Sequence, residues 1–173
     1  MPSQKSPSEI SRHQRLKCFP TPGAKNSLWV WTSFRNPLIV MINFSVVSLA
    51  RYSPSLRLKN WLLRAIGVNI GDGVSWGLES TPDVFWPELI TIGNNTIIGY
   101  DATILCHEFL QDECRIGEVI IGDRSMIGAG AVILPGVCIG SDVKVGANSV
   151  VTKDIPDGSM AAGVPAKILP NPD

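Results

Sequence analysis

The sequence predicts an all-β solenoid: short strands wound into a triangular coil, preceded by α-helices and interrupted by one loop thrown out from a corner. Three observations carry this reading. Ile121, Ile127, Ile133, Ile139, Val145 and Val151 recur every six residues. Four of the six are followed directly by Gly. The fifth residue of each unit is small or β-branched, as at Ser125, Ala131, Val137, Val143 and Ser149. A helix repeats at about 3.6 residues and a flat strand at about 2, so neither asks for six. Self-similarity at a short fixed period marks a solenoid. A helix holding Gly122, Gly128, Gly130, Gly136, Gly140 and Pro135 would be very unstable.

Taken in order, residues 1–26 hold Lys5, Arg12, Arg15, Lys17 and Lys25 against Glu9 alone, and read as a flexible, solvated basic tail. Residues 27–67 form an N-terminal helical segment. Asn36 and Pro37 are an N-cap and first-turn proline for a helix over about 37–51. Ser53–Pro54 repeats the signal, and "SLRLKNWLLRAIG" runs to a helix-stopping Gly67. Leu58, Trp61, Leu62 and Ala65 are expected to form one apolar face. That face packs against the domain or a neighbouring subunit, with peripheral membrane contact through residues 37–66 as the alternative. The apolar run at 37–50 falls short of the ~18 residues that mark a membrane span.

The solenoid is expected over residues 68–155. "IGDGVS" and "WGLEST" begin it at Ile70, "TPDVFWPEL" interrupts, and units resume at Ile92, Ile98 and Ile104. The next clean unit starts at Ile121, seventeen residues after Ile104 rather than six. About eleven extra residues within 107–119 therefore form a loop. Three sides of six close an eighteen-residue coil, stacking Ile121 on Ile139, Ile127 on Val145 and Ile133 on Val151. The glycine beside each aliphatic is expected to supply the dihedrals of a tight corner. The third residues Tyr100, Ala129 and Ala147 fall in one column along an edge, leaving the backbone open at two alanine levels. Residues 156–173 read as a C-terminal loop and tail.

Composition narrows the function. Fifteen basic and fifteen acidic residues give zero formal charge, which argues against a nucleic-acid binder. Cys18, Cys106, Cys114 and Cys138 lack CxxC or metal-ligand spacing and read as reduced thiols of a cytoplasmic protein. No secretory signal opens the chain. The two histidines, His13 and His107, cannot supply a three-histidine zinc site, and no metal is expected.

The stretch "IGDRSMIGAGAVILPGVCIGSDVKVGANSVVTKDIPDGSMAAGVPAKIL" resembles the hexapeptide-repeat acyltransferases over residues 68–169. It is most similar to the galactoside and maltose O-acetyltransferase branch, and the N-terminal helices resemble those of an uncharacterised acetyltransferase subgroup. The resemblance implies a left-handed parallel β-helix, an exception to the usual right-handed crossover. It also implies a cytoplasmic homotrimer with active sites between subunits, binding acetyl-CoA as acyl donor. The acyl group would pass to a hydroxyl or amine of a small acceptor, a sugar first among them.

By the same resemblance His107 is the general base, and an imidazole suits proton transfer near neutrality. Cys106 beside it invites a Cys–His pair, but adjacent side chains on an extended segment point to opposite faces. Glu108 or Glu113 would orient the imidazole, or stand as ordinary loop acids. Backbone groups at Ala129 and Ala147 would hold the pantetheine arm, with Thr152, Lys153 and Lys167 as further coenzyme contacts and the two lysines near its phosphates. "TPDVFWPEL" departs from the sugar-acetyltransferase pattern and leaves the acceptor open. A non-catalytic scaffold is the competing class. A membrane-associated enzyme at the inner face, acylating a lipid-linked or polysaccharide precursor, is a variant of the first reading.

Overall fold

The structure, a computed structural model, describes residues 12–170 of the 173. In chain order these are β1 (Lys17–Pro20), α1 (Pro37–Tyr52), α2 (Leu56–Ala65), β2 (Asn69–Ile70), β3 (Ser75–Trp76), β4 (Thr81–Pro82), β5 (Ile90–Ile92), β6 (Ile97–Ile98) and β7 (Thr103–Ile104). Then follow β8 (His107–Phe109), β9 (Glu113–Ile116), β10 (Val119–Ile121), β11 (Met126–Ile127), β12 (Val132–Ile133), β13 (Cys138–Ile139), β14 (Lys144–Val145), β15 (Val150–Val151), β16 (Met160–Gly163) and β17 (Ala166–Leu169).

Three parallel sheets form the sides of the coil. The first face is β2, β5, β10 and β13; the second is β3, β6, β11, β14 and β16; the third is β4, β7, β12 and β15. Ile121 pairs with Ile139, Ile127 with Val145 and Ile133 with Val151, the stacking that the repeat predicts. The first residue of each unit and its small fifth residue both point inward: Ile98, Ala102, Ile127, Ala131, Val145 and Ser149 have no exposed surface. Each buried aliphatic side chain contributes on the order of 1.5–3 kcal/mol.

The corners are built differently from the sequence expectation. The glycine after the aliphatic is not the residue with unusual dihedrals. At Gly128 the requirement is close approach, because a Cβ there would meet the backbone nitrogen of Ala147 at 2.5 Å. Positive φ belongs to the fourth residue of each unit, at Asn95, Asp101, Arg124, Asp142 and Asn148 with φ of 51–57° and at Gly130 with φ of 67°. Short polar side chains tolerate this left-handed region better than most.

The helices cap the first coil. Their side chains donate to its outward carbonyls: Lys59 Nζ to Gly77 at 2.6 Å, Asn60 Nδ2 to Val74 at 2.9 Å, Arg64 Nη2 to Ile70 at 2.8 Å and Arg51 Nε to Glu79 at 3.2 Å. A solenoid end otherwise leaves such edge groups unpaired. This duty sets the faces of α2 and corrects the expected one. Lys59, Leu62 and Leu63 are buried, whereas Trp61 is 65% exposed and Leu58 and Ala65 also face out. Asn36 caps α1 as expected, its side chain accepting from Leu38 N, but the cap of α2 is Ser55 rather than Ser53.

Both expected tails carry structure where they are described. Residues 12–20 are not a solvated tail. Arg12 is buried, and β1 adds an antiparallel strand to the hairpin of β8 and β9 that forms the extruded loop. The expected tail's first eleven residues lie outside the described residues. At the other end, β16 continues the second face beside β14, and β17 folds back on it antiparallel.

Candidate functional site

The edge between the third and first faces departs from the count of six twice, and the two departures meet. Pro82 in β4 pairs with Ile104 in β7, so Asp83 and Cys106–His107 leave the third face at the same edge on adjacent coils. Asp83 is 2% exposed. Its Oδ2 lies 2.5 Å from His107 Nδ1 and accepts from Cys106 N at 2.6 Å. Its Oδ1 accepts from the backbone nitrogens of Phe85 at 2.8 Å and Trp86 at 2.9 Å. A buried carboxylate is tolerated only with partners of this kind. Holding Nδ1–H on Asp83 leaves the Nε2 lone pair of a neutral imidazole available to accept a proton.

Aromatic rings frame the imidazole. The centroids of Phe109, Phe85 and Trp86 lie 4.7, 4.8 and 5.4 Å from that of His107. Trp31 packs edge-on against Phe85 at 5.5 Å, and Arg35 lies over the Trp86 ring. The rings limit water at the pair, and the His107 side chain keeps 14% exposure.

Neither predicted orienting carboxylate touches the imidazole. Glu108 accepts from Arg12 Nη1 at 3.0 Å, and Arg12 also donates to Pro135 O at 3.1 Å. Glu113 is held by Arg115, with Nε at 2.6 Å. Asp83 takes the place expected for them. Its signal in the sequence was the interrupting "TPDVFWPEL", in which Asp83 and Glu88 are the two acids among aromatic and apolar residues. Cys106 is fully buried, and burial raises its pKa well above that of a free thiol, so it is a poor nucleophile.

The remaining predicted residues fall into two groups. Thr152, Lys153 and Lys167 line one hollow, together with Asp154, Ala161 and Pro165. Ala129 and Ala147 lie exposed in a column along the edge between the second and third faces. There Gly130 N donates to Tyr100 O, and Asn148 N donates to Ala129 O, both at 2.8 Å. His107 sits on the next edge of the prism, so one subunit does not place it on the alanine column. Among the described residues no group of three His, Cys, Asp or Glu side chains could hold a metal ion.

Fold and edge together define a hexapeptide-repeat solenoid with a histidine–carboxylate pair where the repeat breaks. Residues 118–153 match the family described as Bacterial transferase hexapeptide (six repeats). "Putative acetyltransferase YvoF" of Bacillus subtilis (strain 168) is 48% identical over 151 residues, 87% of each chain. Two solved structures share the fold. One is a hexapeptide-repeat containing acetyltransferase from Vibrio cholerae O1 biovar eltor complexed with acetyl coenzyme A. It has a TM-score of 0.61 and 22% identity, over 77% of this chain and 86% of that one. The other is a maltose O-acetyltransferase from Clostridium difficile 630, with a TM-score of 0.58 and 23% identity, over 78% and 88% of the two chains. The chain belongs to the hexapeptide-repeat acetyltransferase family, and its coil is the left-handed parallel β-helix.

Proposed function

We propose that this protein transfers an acetyl group from acetyl-CoA to a hydroxyl or amine of a small acceptor, with a sugar hydroxyl the first candidate. The observation that carries the reading is the Asp83–His107 contact of 2.5 Å at the disrupted edge. His107 Nε2 takes the proton from the acceptor, whose oxygen or nitrogen attacks the thioester carbonyl. The tetrahedral intermediate collapses with cleavage of the C–S bond, and the leaving thiolate receives the proton from the imidazolium. Asp83 fixes the tautomer and stabilises the imidazolium while the proton is held.

Ala129 and Ala147 fit a coenzyme rail because their exposed edge offers backbone without bulky side chains. Thr152, Lys153 and Lys167 fit its polar end, since an ammonium is a point-charge partner for phosphate. His107 and the alanine column lie on different edges of the prism, which supports a homotrimer in which neighbouring subunits complete each site. The named acetyltransferases and the acetyl coenzyme A complex among its relatives support the donor. The test is release of coenzyme A thiol across a panel of sugars and amines. Turnover with at least one acceptor is expected, falling by about 10²–10⁴-fold in His107→Ala. No turnover and no acetyl-CoA binding would leave the chain a scaffold.

A further inference from the structure

We infer that the helical cap of the solenoid is a docking surface for an anionic lipid bilayer. Helices α1 and α2 each bury one face on the first coil, through Val40, Val47 and Ala50 and through Lys59, Leu62 and Leu63. Their opposite faces therefore both look away from the solenoid. On α1 that face is Leu38, Met41, Ile42, Leu49 and Tyr52, with Leu38 64% and Met41 65% exposed. Ser45 alone interrupts it, and its hydroxyl turns back to donate to Met41 O at 2.9 Å. On α2 Arg57, Leu58, Trp61 and Ala65 are exposed, while the Arg64 guanidinium turns to the coil rim and donates to Ile70 O and Gly71 O. A broad apolar helix face left exposed on a folded domain is one that something covers.

Charge identifies the cover. The two helices contain Arg51, Arg57, Lys59 and Arg64 and no Asp or Glu, although the whole chain is neutral. Every ionised side chain on the cap's outer surface is thus a cation. Face-to-face docking of two copies would set Arg57 against cations of the same cap, since a two-fold contact joins a patch to itself. Anionic headgroups instead pair with these cations while the apolar stripe of α1 enters the acyl boundary. Tyr52 and Trp61, amphipathic rings beside the stripe, suit headgroup depth. Among the described residues no helix is long and apolar enough to cross a membrane, so α1 lies in the plane.

The test is co-sedimentation of the full chain with vesicles of phosphatidylglycerol and phosphatidylcholine, compared with phosphatidylcholine alone. Wild type is expected to partition to the anionic vesicles and to be released by salt. Arg57→Gln weakens partition about fivefold, the effect of one cation near the surface. Ile42→Asn with Leu49→Asn weakens it by more than about tenfold, while the thermal melt stays close to wild type because both side chains are exposed. No partition of wild type to anionic vesicles would overturn the proposal, as would partition insensitive to both variants. So would a wild-type assembly that the asparagine pair dissociates without any lipid binding, which would assign the face to a second copy. None of these readouts depends on transferase activity.

Discussion

Asp83 receives two backbone donors of its own turn, one from the next coil, and the imidazole that follows it. Four partners make its buried charge tolerable and fix where that charge acts. His107 was legible in the sequence as one of two histidines, at the point where the repeat fails. Asp83 was not, because its contact lies 24 residues away in sequence and depends on the register of β4 against β7. The acids nearer in sequence, Glu108 and Glu113, are occupied by Arg12 and Arg115. Buried thiols give a separate test at this scale. Burial pushes the Cys114 pKa up to about 12, with the Asp83 charge adding to it. Between the unfolded pKa of about 8.5 and this value, the unfolded chain releases a proton that the folded state keeps. Stability is therefore unaffected by this group below about pH 8.5 and declines as pH rises above it. Melting followed from pH 8 upward is expected to show that decline, and Cys114→Ala to flatten it.

Strands of two residues cannot be read one by one, yet the ladder they form was plain. Inward Ile and Val at a fixed period of six, with small fifth residues, predicted the stacking that the parallel pairs show. The corner chemistry was less legible, because glycine serves both positive φ and close approach and the sequence alone does not separate them. Gly128→Ala is expected to cost about 1–3 kcal/mol in urea unfolding, since the added carbon meets the rigid backbone of Val145, Gly146 and Ala147. Ile127→Ala should cost more, about 2–5 kcal/mol, from a cavity at a fully buried level. The faces of α2 were misassigned for a related reason. Periodicity marks lysine as polar and outward, but the carbonyl of Gly77 at the end of the coil draws Lys59 inward. That demand comes from the end of the solenoid and is invisible in the helix itself.

The whole molecule divides its work among the edges of a prism. One edge carries the Asp83–His107 pair under a hairpin that β1 braces, another carries the alanine column, and the helices close the end. If neighbouring subunits complete each site, His107→Ala and Ala147→Trp subunits mixed in equal amounts should recover about a quarter of wild-type activity, because a quarter of the interfaces then pair two intact halves. Each variant alone should be nearly inactive. The central claim is that Asp83 works through His107. Steady-state kinetics of Asp83→Asn, on protein whose melt shows it folded, test it most directly. The expected result is a kcat lowered by about 10²–10⁴-fold with little change in the KM for acetyl-CoA. A kcat near wild type, or a loss confined to KM, would contradict it.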